Sequence, residues 1–235
     1  MCKPGFDKKG NIKLGGKMWT LSKLYGSQEW FIEKYGIYLK GTCGKYCKGC
    51  CNDCYVKRSY RYGSVILKHG TNTLALRNDI IGFFAILDGQ LTRAKNKPEQ
   101  VRYDQSGEIE SRQEFSLLCD LAAAHNYSQF YLYTKAFDLV IPEILERYET
   151  GRLPENLTVL ISIWHEYGIA EYESIKHIPN VKAFVYNDGF EYPFEFTTRC
   201  TAYNGRKLNH NITCDKCRKC FDRKDIHKII SCDSH

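Results

Sequence analysis

Polar and apolar positions follow two rhythms between residues 100 and 190. SRQEFSLLCDLAAAHN carries apolar residues at Phe115, Leu118, Leu121 and Ala122, the spacing of one helical face. DLVIPEILERYETG predicts a second helix, with Pro142 in its first turn and Gly151 just past its end. Around these stand short β-rich runs: a strand near residues 101–103 in EQVRYDQSGEI, then SQFYLYTK, NLTVLISIWHE and VKAFVYND, with EYESIKHIPN a short helix or turn between the last two. Strand alternating with helix is the signature of βα units and a parallel sheet. Four or five such units predict an α/β fold, a partial (β/α) barrel or an open parallel sheet, and not a closed eight-unit barrel.

Outside this block the pattern weakens. The stretch FDKKGNIKLGGK reads as an irregular arm, and EWFIEKYGIYLKG predicts a short strand around residues 37–39 that leads into a cysteine loop. The expected organisation is a barrel-like body over residues 1–198 and a cysteine-rich, metal-stapled appendix over 199–235, packed on it. Each predicted strand of the body ends in polar groups: Gln105, Ser106, Gly107 and Glu108 after the first, Thr134 and Lys135, then His165 and Glu166, then Asn187 and Asp188. In parallel α/β folds ligands sit beyond the carboxyl ends of the strands, so these residues are the ones to watch.

Cysteine usage changes the picture most. The chain has 12 cysteines, while MCKPGFDKKGNIK lacks the apolar run of a secretory leader. The longest apolar run, IIGFFAIL, is too short to cross a bilayer. The expectation is a cytoplasmic chain with no membrane partner, in which clustered cysteines bind metal rather than form disulfides. The formal net charge of +7 is carried partly by runs such as KRSYRY and CRKCFDRK. Such runs suit phosphates, making nucleic acid a candidate partner, although a solvated surface looks the same in sequence.

Two cysteine constellations stand out. TCGKYCKGCCNDCY holds Cys43, Cys47, Cys50, Cys51 and Cys54. C-x3-C-x2-C occurs in two registers there, and a structural zinc site wants four ligands, usually as paired C-x2-C knuckles. Five cysteines in these spacings favour a [4Fe–4S] cluster over zinc and leave open which of them ligate. Near the C-terminus, CDKCRKC supplies Cys214, Cys217 and Cys220, and Cys200 upstream completes four, for a second cluster or for zinc. Cys119 lies in a helical pattern and reads as a small buried hydrophobe; Cys2 and Cys232 are left over.

The C-x3-C-x2-C loop followed by Tyr55 resembles the cluster loop of radical S-adenosylmethionine enzymes. That resemblance implies a partial βα barrel, an open cluster iron that chelates S-adenosylmethionine, and an external electron donor. It also gives Ser106, Gly107 and Glu108 the place of that superfamily's GGE motif, which contacts the methionine amino group. The aromatic residue that usually precedes the third cysteine is absent, with Gly49 and Asp53 standing there in the two registers, and the other glycine-rich cofactor motifs are not evident. More closely, VRYDQSGEI, FYLYTK and LPENLTVLISI, with the cysteine loop before and C-x2-C-x2-C after, are similar in order to the Gene product 88 family of bacteriophage proteins, from about residue 42 to 221. That family has no assigned activity, so the resemblance implies fold and cluster rather than reaction.

Lys135 and Ser162 are further candidates for a nucleotide-like ligand, and His165 and Glu166 for ligand contact or proton movement. Asp188 before Gly189 reads as a turn. No phosphate-cradling loop and no Ser-His-Asp order occurs. The expected function is that of an iron–sulfur protein resembling radical S-adenosylmethionine enzymes, a resemblance that implies S-adenosylmethionine as small-molecule cofactor; its substrate is unassigned, with a nucleic acid or nucleotide as the candidate. The alternative is a non-enzymatic module, stapled by zinc or a closed cluster, that binds nucleic acid or a host protein.

Overall fold

The computed structural model describes residues 2–8, 18–47, 49–50, 54–201, 203–204, 207–208, 212–222 and 228–233. Its centre is a seven-stranded, all-parallel open sheet in the order β1-β2-β3-β4-β5-β9-β6. The strands are β1 Met18–Thr20, β2 Gln100–Tyr103, β3 Gln129–Thr134, β4 Leu157–Ile163, β5 Val181–Asn187, β6 Thr198–Arg199 and β9 Ile229–Asp233. A two-stranded ribbon, β7 Tyr203–Asn204 and β8 Lys207–Leu208, stands apart. The helices are α1 Glu29–Tyr35, α2 Val56–Ser59, α3 Gly63–Asn78, α4 Ile80–Thr92, α5 Arg112–Ala124, α6 Phe137–Glu149, α7 Ile169–Ile175 and α8 Cys214–Cys217.

The first five strands follow one another across the sheet without reversal. With right-handed crossovers, that order sends every connecting helix to the same face. The side chains agree: Val101 and Tyr103, Phe130 and Leu132, Val159 and Ile161, and Val181 and Ala183 pack into one core with Leu87 of α4, Phe115 of α5, Val140 of α6 and Ile175 of α7. Strand side chains alternate between faces, so Met18, Tyr131, Leu160 and Ile230 point the other way. There they meet Phe221 and the partly buried Cys200, Cys214 and Cys220. Helices cover one face, and the C-terminal cysteine segment covers the other.

That segment is woven into the body as well as laid on it. β9 inserts between β5 and β6, parallel to both. The buried Lys182 donates to the carbonyls of Lys219 (2.6 Å) and Asp222 (2.9 Å), and Thr158 donates to that of Phe221 at 3.2 Å.

Three local expectations change. Residues 37–39 form no strand, because Leu39 packs with Leu24, Phe31 and Ile66 in a side cluster. IIGFFAIL lies in a helix, α4, following α3; Asp79 ends α3, and its side chain accepts from Gly82 N at 2.8 Å to begin α4. The helix holding Pro142 begins at Phe137, so the proline falls in its second turn. Among the described residues no helix is long and apolar enough to cross a membrane.

Candidate functional site

The cysteine loop lies on the carboxyl edge of the sheet, tied there by its first residue. Thr42 is buried; its N–H and its hydroxyl both donate to Leu24 O, at 2.7 and 3.0 Å. Its Oγ1 also accepts from Glu108 N at 2.8 Å. Cys43 N donates to Tyr25 O at 3.1 Å. At the far end of the loop, the Tyr55 hydroxyl donates to Gln105 O. Two glycines permit this contact. Gly107 has φ +95°, and a Cβ there would stand 2.7 Å from Thr42 Oγ1 and 2.8 Å from Lys23 Cβ. Gly49 has φ +76°, and a Cβ would come within 3.0 Å of Trp164 Cβ, beyond the end of β4.

Glu108 locks the neighbouring strand end. Its Oε1 accepts from the Thr134 hydroxyl (2.7 Å) and from Ile109 N (3.0 Å), and its Oε2 from Lys135 N (2.7 Å). Burial raises its carboxyl above the ordinary range, against the Lys135 charge and these hydrogen bonds. Ser106 is spent on the same turn: its hydroxyl donates to Lys23 O at 2.9 Å, and its carbonyl accepts from Lys23 N at 2.7 Å. Ser162 is buried on the face of β4 turned away from the helices.

Lys135 reaches toward the cysteines. Its Nζ lies 5.7 Å from the centre of the Trp164 ring. Burial pulls its pKa down, but Cys50, Glu108 and Cys43 outweigh this and raise it. Burial pushes the Cys43 thiol well up, with Glu108 adding to the effect, and also pushes the Cys54 thiol up. Cys43, Cys47, Cys50 and Cys54 are thus brought within electrostatic reach at one edge. Cys51 lies outside the described residues.

The second set gathers on the helix-free face. Cys220 feels Cys200, Cys214 and Cys217, and burial pushes its thiol up to about 12. Thr201 Oγ1 donates to Cys217 Sγ at 3.2 Å. Cys119 is buried in α5, Cys232 in β9, and Cys2 donates to Thr71 Oγ1 at 3.3 Å. The described cysteines form no disulfide with one another. Among the described residues no three His, Cys, Asp or Glu side chains stand in a ready coordinating group. The donors that each set offers are thiols, the ligand type of zinc and iron–sulfur centres, and Lys135 brings a cation to the first set.

Several site residues escaped the sequence reading. Lys23 is fully buried and pairs with Glu114 and with Asp104 Oδ2 (3.1 Å), and donates to Glu108 O at 2.7 Å. It supports the Gly107 turn from beneath. Glu114 also accepts from the Tyr103 hydroxyl (2.9 Å) and Glu110 N (2.8 Å). Asp188, read as a turn residue, accepts from His165 Nε2 at 2.8 Å, and His165 has φ +52° at the end of β4. A cavity of about 420 Å³ opens beside the loop, lined in part by Tyr55, Ser59, Ser64, Lys68, His69 and Ser106.

Fold and site together define a singly wound parallel α/β protein whose carboxyl edge carries a cysteine loop and whose bare face carries a second cysteine set. The Gene product 88 family model matches residues 7–223, and the chain belongs to that family. No curated protein and no solved structure matches the chain.

Proposed function

We propose that this chain is an iron–sulfur protein that binds S-adenosylmethionine beside its cysteine loop. The observation that carries this reading is the meeting of the loop, the Ser106, Gly107 and Glu108 turn, and Lys135 on one carboxyl edge. Cys43, Cys47, Cys50 and Cys54, with Cys51, are the donors for a [4Fe–4S] cluster, which supplies one-electron chemistry when bound. Cys200, Cys214, Cys217 and Cys220 are the donors for a second cluster or zinc. Lys135 offsets thiolate charge at the loop. Thr42 and Glu108 hold loop and strand end in register, and the neighbouring cavity falls within the size range of small-molecule sites. A nucleotide or nucleic acid is the proposed substrate class: Lys57, Arg58, Arg61 and Tyr62 are all exposed just after the loop.

A second reading rests on Glu108. Its carboxylate already accepts three protein hydrogen bonds, and the loop has enough thiols to close a centre without an exchangeable ligand. The protein would then be a stapled binding module.

Metal analysis of anaerobically purified protein separates the two. Iron and sulfide near four or eight per chain, with an electron paramagnetic resonance spectrum that changes on adding S-adenosylmethionine, is the result expected for a [4Fe–4S] enzyme. Iron with an unmoved spectrum supports the closed centre. Zinc without iron overturns the enzyme reading.

A further inference from the structure

Arg102 sits on β2, on the face that the helices leave bare, between the two cysteine sets. Its guanidinium stacks over the Tyr133 ring at 4.6 Å, and one Nη donates to the Tyr55 hydroxyl at 3.4 Å. Its Nε is sealed from solvent and has no hydrogen-bond partner. Among the described residues no carboxylate lies within ion-pair distance of it. The ionisable groups it feels most are Tyr55, Tyr131, Tyr133 and Cys214.

This arrangement carries a cost. A guanidinium has five donors and is charged at any working pH. Arg102 is half-buried, its Nη contact with Tyr55 open to solvent and its Nε sealed, so part of the several-kcal/mol cost of burying a charge without a counter-charge falls on it. Burial holds the Tyr131 and Tyr133 phenols well above the ordinary phenol range. That leaves thiols as the groups able to become anionic there. Cys214, Cys200 and Cys220 pack against the same cluster as Tyr133, the ring over which Arg102 stacks. Thiols are deprotonated when they ligate a metal, and four thiolates around a divalent ion or a cluster carry net negative charge.

We propose that Arg102 is the built-in counter-ion of an anionic metal–thiolate centre formed by Cys200, Cys214, Cys217 and Cys220. This rests on the reading of those cysteines as a metal site. The positive charge is already in place on the sheet face, opposite where the thiolates form. Arg102 therefore costs the metal-free protein stability and returns it on loading. Tyr55 joins the same group to the N-terminal loop, since its hydroxyl meets both Arg102 and Gln105 O.

The test compares the full-length wild type with Arg102→Met, Arg102→Lys and a Cys214→Ser/Cys220→Ser double variant. Metal per chain, release to a chelator, and melting with and without metal are measured. The double variant identifies the metal that belongs to the C-terminal set. Arg102→Met is expected to release that metal at least about tenfold faster, the ratio one charge-assisted contact carries. Arg102→Lys falls between, because the charge survives and the planar fork does not. Stripped of metal, Arg102→Met melts no lower than wild type, whereas loaded it melts lower. Unchanged release from Arg102→Met overturns the counter-ion role while leaving the metal site standing. An equal drop in melting with and without metal also overturns it, and reduces Arg102 to a packing residue over Tyr133. If the double variant holds as much metal as wild type, the metal site and its counter-ion fall together.

Discussion

Replacing Lys23 by Met tests whether the carboxyl edge is held up by the buried charge network beneath it. Lys23, Asp104 and Glu114 have no exposed side-chain surface. The ammonium faces both carboxyls and also donates to Glu108 O. Methionine keeps most of the volume, so the change is mainly electrostatic. Removing one partner of a buried ion pair strands the other, at about 3–5 kcal/mol. Against a total stability of about 5–15 kcal/mol, that is a large fraction. In urea, with a slope of about 3 kcal/mol/M, the midpoint should fall by about 1–1.7 M.

The pH dependence has a definite sign. Burial holds the Asp104 carboxyl well above the ordinary carboxylate range, with Lys23 pulling it back down. A carboxyl whose folded pKa exceeds its unfolded value contributes stability at low pH and loses it as pH rises through the folded pKa. Deleting Lys23 raises that folded pKa further and extends the losing range upward. The gap between wild type and Lys23→Met should therefore be wider at pH 8 than at pH 5.5. The assay is urea unfolding at both pH values, with a chelator present so that metal loading does not enter. A loss under about 1 kcal/mol, the size of an ordinary surface change, would refute the reasoning. So would a gap of the same width at both pH values.

Two further perturbations probe the same edge. Gly107→Ala meets Thr42 Oγ1 and Lys23 Cβ as well as an unfavourable φ of +95°, and should cost about 2–4 kcal/mol in urea unfolding. Gly36→Ala has a φ of +65° with nothing within 4 Å of the added atom and should cost about 1 kcal/mol; equal losses would mean that the loop does not press on Gly107. His69, hydrogen-bonded to the Tyr60 hydroxyl at 2.9 Å, is pulled down to about 4 by burial, with Lys68 adding to the effect. A depressed folded pKa gives stability that is present above the unfolded value near 6.5 and is lost as pH falls through 4, by at most about 3 kcal/mol. His69→Gln should flatten the stability curve over that window, and parallel curves for variant and wild type would remove His69 from acid sensitivity.

What could be read from sequence follows the two periodicities. α5 and α6 each bury one face, so the apolar spacing marks them; β2 to β5 are covered on both faces, β4 throughout, and are marked as short apolar, β-branched runs. α3 has no apolar stripe: it buries Thr71, Asn72 and Thr73 alongside Ile66 and Leu76, and polar residues facing a core look like surface in sequence. α4 is nearly continuous in apolar residues, a pattern that helix and strand share. β1 is three residues long, too short for alternation to register. Glu108 and Lys135 could be found because parallel strands present ligands at their carboxyl ends. Lys23 and Arg102 could not, because a cation in an arm or a short strand reads as solvated until its surroundings are known. Asp188 does form a turn, its Oδ1 accepting from Phe190 N at 3.3 Å, but its contact with His165 is not legible in sequence, since only the fold brings β4 and β5 together.

The company each cation keeps argues for one electrostatic design across edge and face. Lys23 has two carboxylates. Arg147 has Glu143 and Asp120. Lys182 has two carbonyls of the C-terminal segment. These three hold the body together, and each is answered by oxygen. Moving toward the cysteines, the oxygens thin out. Lys135 has Glu108 on one side and Cys50 and Cys43 on the other. Arg102 has phenols and Cys214 alone. Folding stability gives little reason to place Arg102 where no carboxylate answers it, because neutral thiols return little of the desolvation cost. The arrangement becomes favourable once the thiols ionise, as they would on ligating a metal. On the proposed function the two cysteine sets would load as parts of one charged unit, with Tyr55 and Arg102 at the seam between them.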